Sequence, residues 1–204
     1  MVDLIPSPES VMSILHDTGA YRKGHFVYPN GKHASHYFQM PLAFRYYDNA
    51  RVLSVGLSRL FRLERTISSR LPKISIISPS PGGIMVAFGV REALTAEQIY
   101  WAEMEEGKRQ FRQYIGAGDV HPAIIVDDIL RSGKAIAETI ELVRGLGSEV
   151  IGIGTIVRFE DSPTEFEGIP VKSLTSFDVN FYETEEQWRV SKSASEAEEQ
   201  KVRF

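Results

Sequence analysis

The stretch "AIIVDDILRSGKAIAETI", Ala123 to Ile140, decides how this chain folds. Ala123 to Val126 have the length and apolar density of a buried strand. Gly133 to Leu146 predict a helix, closed by Gly147. Between them stand two adjacent acids, Asp127 and Asp128, two apolar residues, and the turn Arg131 to Ala135. Neighbouring carboxylates raise each other's pKa, so the pair belongs where water or a ligand reaches it. A helix N-terminus offers backbone N–H groups and a positive dipole end, which suit a phosphate, and Gly133 permits close backbone approach. Acids beside such a cradle suit a ligand with a phosphate at one end and hydroxyls or a bound Mg²⁺ at the other. A sugar phosphate meets that description. The plainer reading, a strand-to-helix turn whose acids merely cap the helix, also fits two adjacent acids taken alone.

Working outward, "ISIIS" (Ile74 to Ser78), "QIYWAE" (Gln98 to Glu103) and "VIGIGTIV" (Val150 to Val157) read as strands. "GGIMVAFGVREAL" predicts a helix with Ile84, Ala87, Phe88 and Leu94 on one stripe. "DNARVLSVGLSRLFRLE" is amphipathic through Leu53, Leu57, Leu60 and Phe61, with Asp48 as its expected cap. "SPESVMSILHDTG" predicts a first helix, capped by Ser7, with Pro8 in its first turn and Gly19 at its end. "GHFVYPNGKHASHYFQM" predicts two strands about a turn at Pro29 to Gly31. "MEEGKRQFRQYIGAGDVHP" is polar and glycine-bearing, and predicts a long loop or mobile hairpin. Strands alternate with helices from Ile74 onward, which argues for an α/β fold with a mainly parallel sheet covered on both faces. Ligands of such sheets bind at the carboxyl ends of the strands, where Asp127 and Asp128 sit.

The chain has 204 residues, no cysteine and a net charge of −4. Disulfides, thiolate metal sites and cysteine nucleophiles are therefore excluded. Bulk electrostatics do not favour a nucleic-acid partner. No apolar run reaches membrane-spanning length, and "MVDLIPSPESVM" lacks the basic start and apolar core of a signal peptide. The expectation is a cytoplasmic, soluble protein with a single domain over 1–190 and a charged tail over 191–204.

The whole string "IIVDDILRSGKA" is more specific than its acids, and it resembles the phosphoribosyl-pyrophosphate (PRPP) motif of type I phosphoribosyltransferases. The resemblance implies that family's fold: a mainly parallel twisted sheet flanked by helices, a small N-terminal hood (about 1–45) and a flexible catalytic loop. It implies that Asp127 and Asp128 contact the ribose hydroxyls, and that Arg131, Ser132, Gly133, Lys134 and Ala135 hold the 5′-phosphate. "GHFVYPNGKHASHYFQ" is similar to the N-terminal strand pair of orotate phosphoribosyltransferases, and "SPSPGGIMVA" to the loop that approaches pyrophosphate, here Pro81, Gly82 and Gly83. "YWAEMEEGKRQFRQYI" resembles the catalytic loop, with Lys108, Arg109 and Arg112 as the cations that would close over pyrophosphate. Lys32, Tyr37, Phe38 and Arg158 fall where that family meets its base. The family reaction moves phosphoribosyl from PRPP to orotate, giving orotidine 5′-monophosphate and pyrophosphate. It uses Mg²⁺, held mainly by PRPP with no certain protein ligand, and it runs in a homodimer.

Departures keep two alternatives open. Ala135 lacks the usual hydroxyl, Arg131 replaces a usual Thr, Met104 replaces an arginine of the loop, and Phe159 stands where an arginine would reach the base, with Arg158 one place early. A one-residue shift turns a strand side chain to the other face. A phosphoribosyltransferase for another base, purine-type, fits Ala135. A PRPP-binding regulator without catalysis fits Met104.

Overall fold

The computed structural model describes residues 5–28 and 30–191. Helix α1 (Pro8–Asp17) starts as its sequence dictates: the Ser7 hydroxyl accepts from the Ser10 N–H, and Pro8 fills the first turn. Strands β1 (Tyr21–Val27) and β2 (His33–Phe38) follow and pair antiparallel. Their connection is tied by the Tyr28 N–H donating to the Lys32 carbonyl at 2.8 Å, while Pro29 of the expected turn lies outside the described residues. Then come α2 (Pro41–Phe44), α3 (Tyr47–Arg62), α4 (Arg65–Ser68), β3 (Ser75–Ser78), α5 (Ile84–Leu94), β4 (Gln98–Glu105), β5 (Lys108–Phe111), β6 (Ala123–Leu130) and α6 (Lys134–Gly145). The last elements are β7 (Val150–Phe159), β8 (Glu165–Phe166), β9 (Ile169–Phe177), β10 (Phe181–Tyr182) and α7 (Glu185–Val190).

Seven strands form the main sheet in the order β5-β4-β3-β6-β7-β9-β8. The run β4-β3-β6-β7-β9 is parallel, and β5 and β8 close its two edges antiparallel. Helices cover both faces, as a parallel sheet requires. Leu53, Leu57 and Phe61 of α3 and Val86, Ala87 and Val90 of α5 pack with Ile76, Ile124 and Val126 on one face. Ile136, Ile140 and Val143 of α6 pack with Ile77, Ile125 and Ile153 on the other. Successive β6 residues thus go to opposite cores, which explains why the strand reads as continuously apolar.

A second sheet, β1-β2-β10, forms the hood above the carboxyl ends of the main strands. Its third strand comes from the far end of the chain: Phe181 pairs with Ala34 and Tyr182 with His33. Helix α7 seals it through Trp188, whose ring stacks 3.8 Å from His25 and whose indole N–H donates to the Ser35 hydroxyl at 3.1 Å. Burying an aromatic of this size is worth roughly 2–3 kcal/mol, enough to hold a six-residue helix that could not persist alone.

Several expectations are corrected. Asp48 is not a cap: α3 begins one residue earlier, after Tyr46, and Asp48 lies inside its first turn. The buried stripe of α5 is Val86, Ala87, Val90 and Leu94, whereas Phe88 is half exposed, because the helix packs between α3 and the sheet rather than along the stripe expected for it. β3 starts at Ser75, one residue after Ile74, and β6 runs on to Leu130, past both acids. Of the tail 191–204, all but Ser191 lies outside the described residues.

Candidate active site

The acids sit where β6 meets the ends of its neighbours. Asp127 is buried and Asp128 half-buried. The Ser80 hydroxyl donates to Asp127 Oδ1 at 2.7 Å, and the Asp128 N–H to the same oxygen at 3.0 Å. Asp128 Oδ1 accepts from the Ile129 N–H at 2.8 Å, and its main-chain carbonyl accepts from the Thr155 hydroxyl on β7 at 3.0 Å. Burial first, and then the charge of Asp128, push the Asp127 carboxyl well above the ordinary carboxylate range; the Ser80 hydroxyl pulls the other way. Burial also raises Asp128. The pair is thus held in a high-energy arrangement that hydroxyl donors or a cation from a ligand would relieve.

The loop between β3 and α5 lies directly against these acids. A methyl group on Gly83 would stand 2.5 Å from Asp127 Oδ1 and 2.7 Å from Ser78 Oγ; one on Gly82 would stand 2.9 Å from Asp128 Oδ2. Only glycine allows that approach. On the other side, Gly133 caps α6 with φ near +75°, a left-handed conformation that no side chain favours, and with Phe166 pressed against it. Gly133 has no side chain with which to cap this helix end, so the first-turn amides of Ala135 and Ile136 have no side-chain partner. Ala135 presents no hydroxyl, and the Ser132 hydroxyl lies 3.5 Å from the Lys134 N–H.

The expected mobile loop is a formed hairpin. β4 and β5 pair from Ala102–Phe111 to Glu105–Lys108 through a two-residue turn, Glu106 and Gly107, both with positive φ. Its three cations have different fates. Lys108 is exposed at the tip. Arg112 turns back onto Glu103 at 3.7 Å and Glu105 at 3.1 Å. Arg109 is nearly buried: it pairs with Glu138 of α6 at 2.9 Å and donates to the Pro79 carbonyl, so it clamps the hairpin to the glycine loop. Met104 faces Arg109 across the hairpin and is half exposed. Lys134, at 3.7 Å, shares Glu138.

The residues expected at the base divide. Tyr37 and Phe38 leave β2 on opposite faces. Phe38 is buried in the core against Tyr21, Phe159 and Phe177, whereas Tyr37 meets Phe26 and Tyr28 on the other side. Lys32 is paired with Glu183 at 2.7 Å. Arg158 folds onto the carbonyls of Phe159 and Glu160, at 3.2 and 3.4 Å. Ser80, Tyr28, Glu138 and Phe181 were not expected at the site. Ser80 could have been read from the quoted "SPSPGG", whereas Phe181 carries no local signal and arrives only through the pairing of β10 with β2. Among the described residues no group of three or more His, Asp or Glu side chains could hold a metal ion, and no helix is long and apolar enough to cross a membrane.

No family model matches the chain. A curated relative from Caldanaerobacter subterraneus subsp. tengcongensis, an orotate phosphoribosyltransferase, is 32% identical over 178 residues, covering 87% of this chain and 89% of the relative. The chain belongs to the orotate phosphoribosyltransferase family. An orotate phosphoribosyltransferase from a Thermoanaerobacter species is 33% identical over the same share of each. The crystal structure of orotate phosphoribosyltransferase from Aeropyrum pernix superposes with a TM-score of 0.64 at 20% identity, over 82% of this chain and 93% of that one. That likeness gives the architecture, the type I phosphoribosyltransferase fold. In this member of the orotate phosphoribosyltransferase family the acids on β6 lie against the glycine loop, and α6 begins shortly after the strand that carries them.

Proposed function

We infer that this protein transfers the phosphoribosyl group of PRPP to orotate, releasing pyrophosphate and forming orotidine 5′-monophosphate. The observation that carries the reading is the acid pair, buried together on β6 between a glycine loop and an uncapped helix N-terminus. Asp127 and Asp128 accept hydrogen bonds from the ribose hydroxyls and so relieve their mutual repulsion. The amides from Ser132 to Ala135 hold the 5′-phosphate, and their number makes the missing hydroxyl of Ala135 tolerable. The bond from C1 to pyrophosphate breaks with its electrons leaving on pyrophosphate. The lone pair of the orotate ring nitrogen, whose proton is lost to solvent, forms the new bond to C1. Pro81, Gly82 and Gly83 bring backbone toward the leaving group; Lys108, exposed at the hairpin tip, supplies positive charge, and Arg109 and Arg112 would add theirs on exchanging their carboxylate partners for pyrophosphate. Mg²⁺, when bound with PRPP, would supply positive charge to the pyrophosphate, and Asp127 and Asp128 are the carboxyl groups that would lie beside it.

Pairing of two copies is supported by the groove between α3 and α5, where Tyr47 and Phe88 expose apolar rings beside Ile84 and Met85. Sedimentation of the purified protein at twice the monomer mass checks the pairing. The test of function is pyrophosphate release from PRPP with Mg²⁺ and orotate, with uracil, adenine and hypoxanthine run in parallel. Turnover with orotate alone is expected. Turnover only with a purine would move the substrate, and PRPP binding without turnover on any base would make the protein a regulator.

A further inference from the structure

The cations around the acid pair are held in different ways. Arg131 lies on the rings of Phe181 and Tyr28, 4.1 and 5.4 Å from their centroids. Arg112 pairs with Glu103 and Glu105 of its own hairpin, so it moves with that hairpin. Arg109 reaches out of it. Among the described residues, every ion pair and side-chain hydrogen bond that leaves residues 102–112 is made by Arg109. Its Nε donates to Glu138 Oε2 on α6 at 2.9 Å. Its Nη1 donates to the Pro79 carbonyl, in the loop that runs on to Gly82 and Gly83. The Arg109 side chain is 10% exposed against 49% for Arg112, so water and salt screen its pairing less.

The two partners are not equally dependent on each other. Glu138 faces one cation with each oxygen: Oε2 takes Arg109, and Oε1 lies 3.7 Å from Lys134 Nζ, one turn earlier on α6. If Arg109 departs, Glu138 keeps Lys134. Arg109 has no second carboxylate, and a shielded guanidinium without a counter-charge is unfavourable. It can leave Glu138 only for another anion. A diphosphate at the glycine loop would be such an anion, with more charge and more acceptor oxygens than one carboxylate.

We propose that Glu138 is a positioning residue that acts through Arg109: it holds the arginine beside the glycine loop until a diphosphate arrives, then yields it and keeps Lys134. The proposal rests on pyrophosphate being a product of this site. A carboxylate in this role competes with the ligand. Removing its charge should therefore tighten binding, the opposite of what losing a structural support would do. The test is E138Q, isosteric and on a part-exposed helix position, alone and combined with R109M. Binding of pyrophosphate and of ribose 5-phosphate is measured by calorimetry with Mg²⁺ present. E138Q should bind pyrophosphate about three- to tenfold more tightly than the parent, while its affinity for ribose 5-phosphate changes by less than about twofold. The KM for PRPP should fall in step. Cleavage at Glu105 and Glu106 by a Glu-specific protease should quicken in E138Q and return to the parent's rate when pyrophosphate is added. In the R109M background the gain should vanish, because Glu138 has no arginine left to hold. Unchanged or weaker pyrophosphate binding by E138Q would overturn the proposal. So would a gain that persists without Arg109, or one that is equal for ribose 5-phosphate, which would assign the effect to Lys134. A parent protein that binds no pyrophosphate would sink the functional reading, and this inference with it.

Discussion

Replacing Gly83 with alanine tests whether the glycine loop is locked onto the acids. The added methyl would meet Asp127 Oδ1 at 2.5 Å, Ser78 Oγ at 2.7 Å and the Asp127 main chain at 3.0 Å. Reaching ordinary contact at 3.4 Å from the first of these requires a movement of about 0.9 Å. Ser78 is itself buried, and Asp127 is fixed from the other side by the Ser80 hydroxyl at 2.7 Å. The strain has no flexible outlet, so overpacking should cost about 1–3 kcal/mol. For a chain of this length that lowers Tm by roughly 3–10 °C. Moving the carboxylate by that distance also misplaces the ribose hydroxyls, and kcat/KM for PRPP should fall at least about tenfold. Thermal unfolding by circular dichroism and PRPP-saturation kinetics read the two effects. Gly145→Ala is the control: it sits at the end of α6 with open space around the new methyl, and its Tm should hold or rise. A G83A protein with the parent's Tm and the parent's KM for PRPP would refute the claim that these glycines are required by the acids.

Other outcomes follow from the same geometry. The Asp127 carboxyl is raised by burial and by Asp128, so the folded protein holds that proton more tightly than the unfolded chain. Stability from this group is therefore present at low pH and lost as pH rises from about 3.9 through the folded pKa, each pKa unit being worth about 1.4 kcal/mol. D127N removes that loss: its Tm should match or exceed the parent's at pH 8 and converge with it toward pH 4, while activity falls more than about 100-fold; a variant several degrees less stable at pH 8 would contradict this. R109A should free the β4–β5 hairpin from Glu138 and Pro79 at a local cost of about 1.5–3 kcal/mol. Cleavage by a Glu-specific protease at Glu105 and Glu106 should then quicken about tenfold, and cleavage at the parent's rate would show that the clamp does not hold the hairpin.

What could be read from the chain divides along the range of the interactions. The core strands and helices were legible because their signals are local: an apolar run for β6, the Ser7 cap for α1, Gly147 after α6. The acid pair and glycine loop were legible because each is a contiguous string. The stretch after β4 reads as a long loop or mobile hairpin, and its polar composition could not choose between them, because the two-residue turn needs only Glu106 and Gly107 at positive φ. Asp48 and Phe88 misled because both have the right type at the right spacing, while tertiary packing chose the neighbouring residue or face. The hood was only half visible. β10 is two residues long, and nothing near Phe181 announces a partner that lies almost 150 residues earlier. The placement of Arg131 on that strand's ring was out of reach for the same reason.

The hood's dependence on β10 and α7 has a consequence for synthesis. As the chain leaves the ribosome, the acids, the glycine loop and α6 are all present before Phe181 emerges. A pocket for the sugar phosphate can therefore assemble while its roof is still two bare strands, with His25 uncovered until Trp188 arrives. The hood sheet is completed last, so a truncated or nascent chain would carry the acid pair and the glycine loop before β1 and β2 gained their third strand.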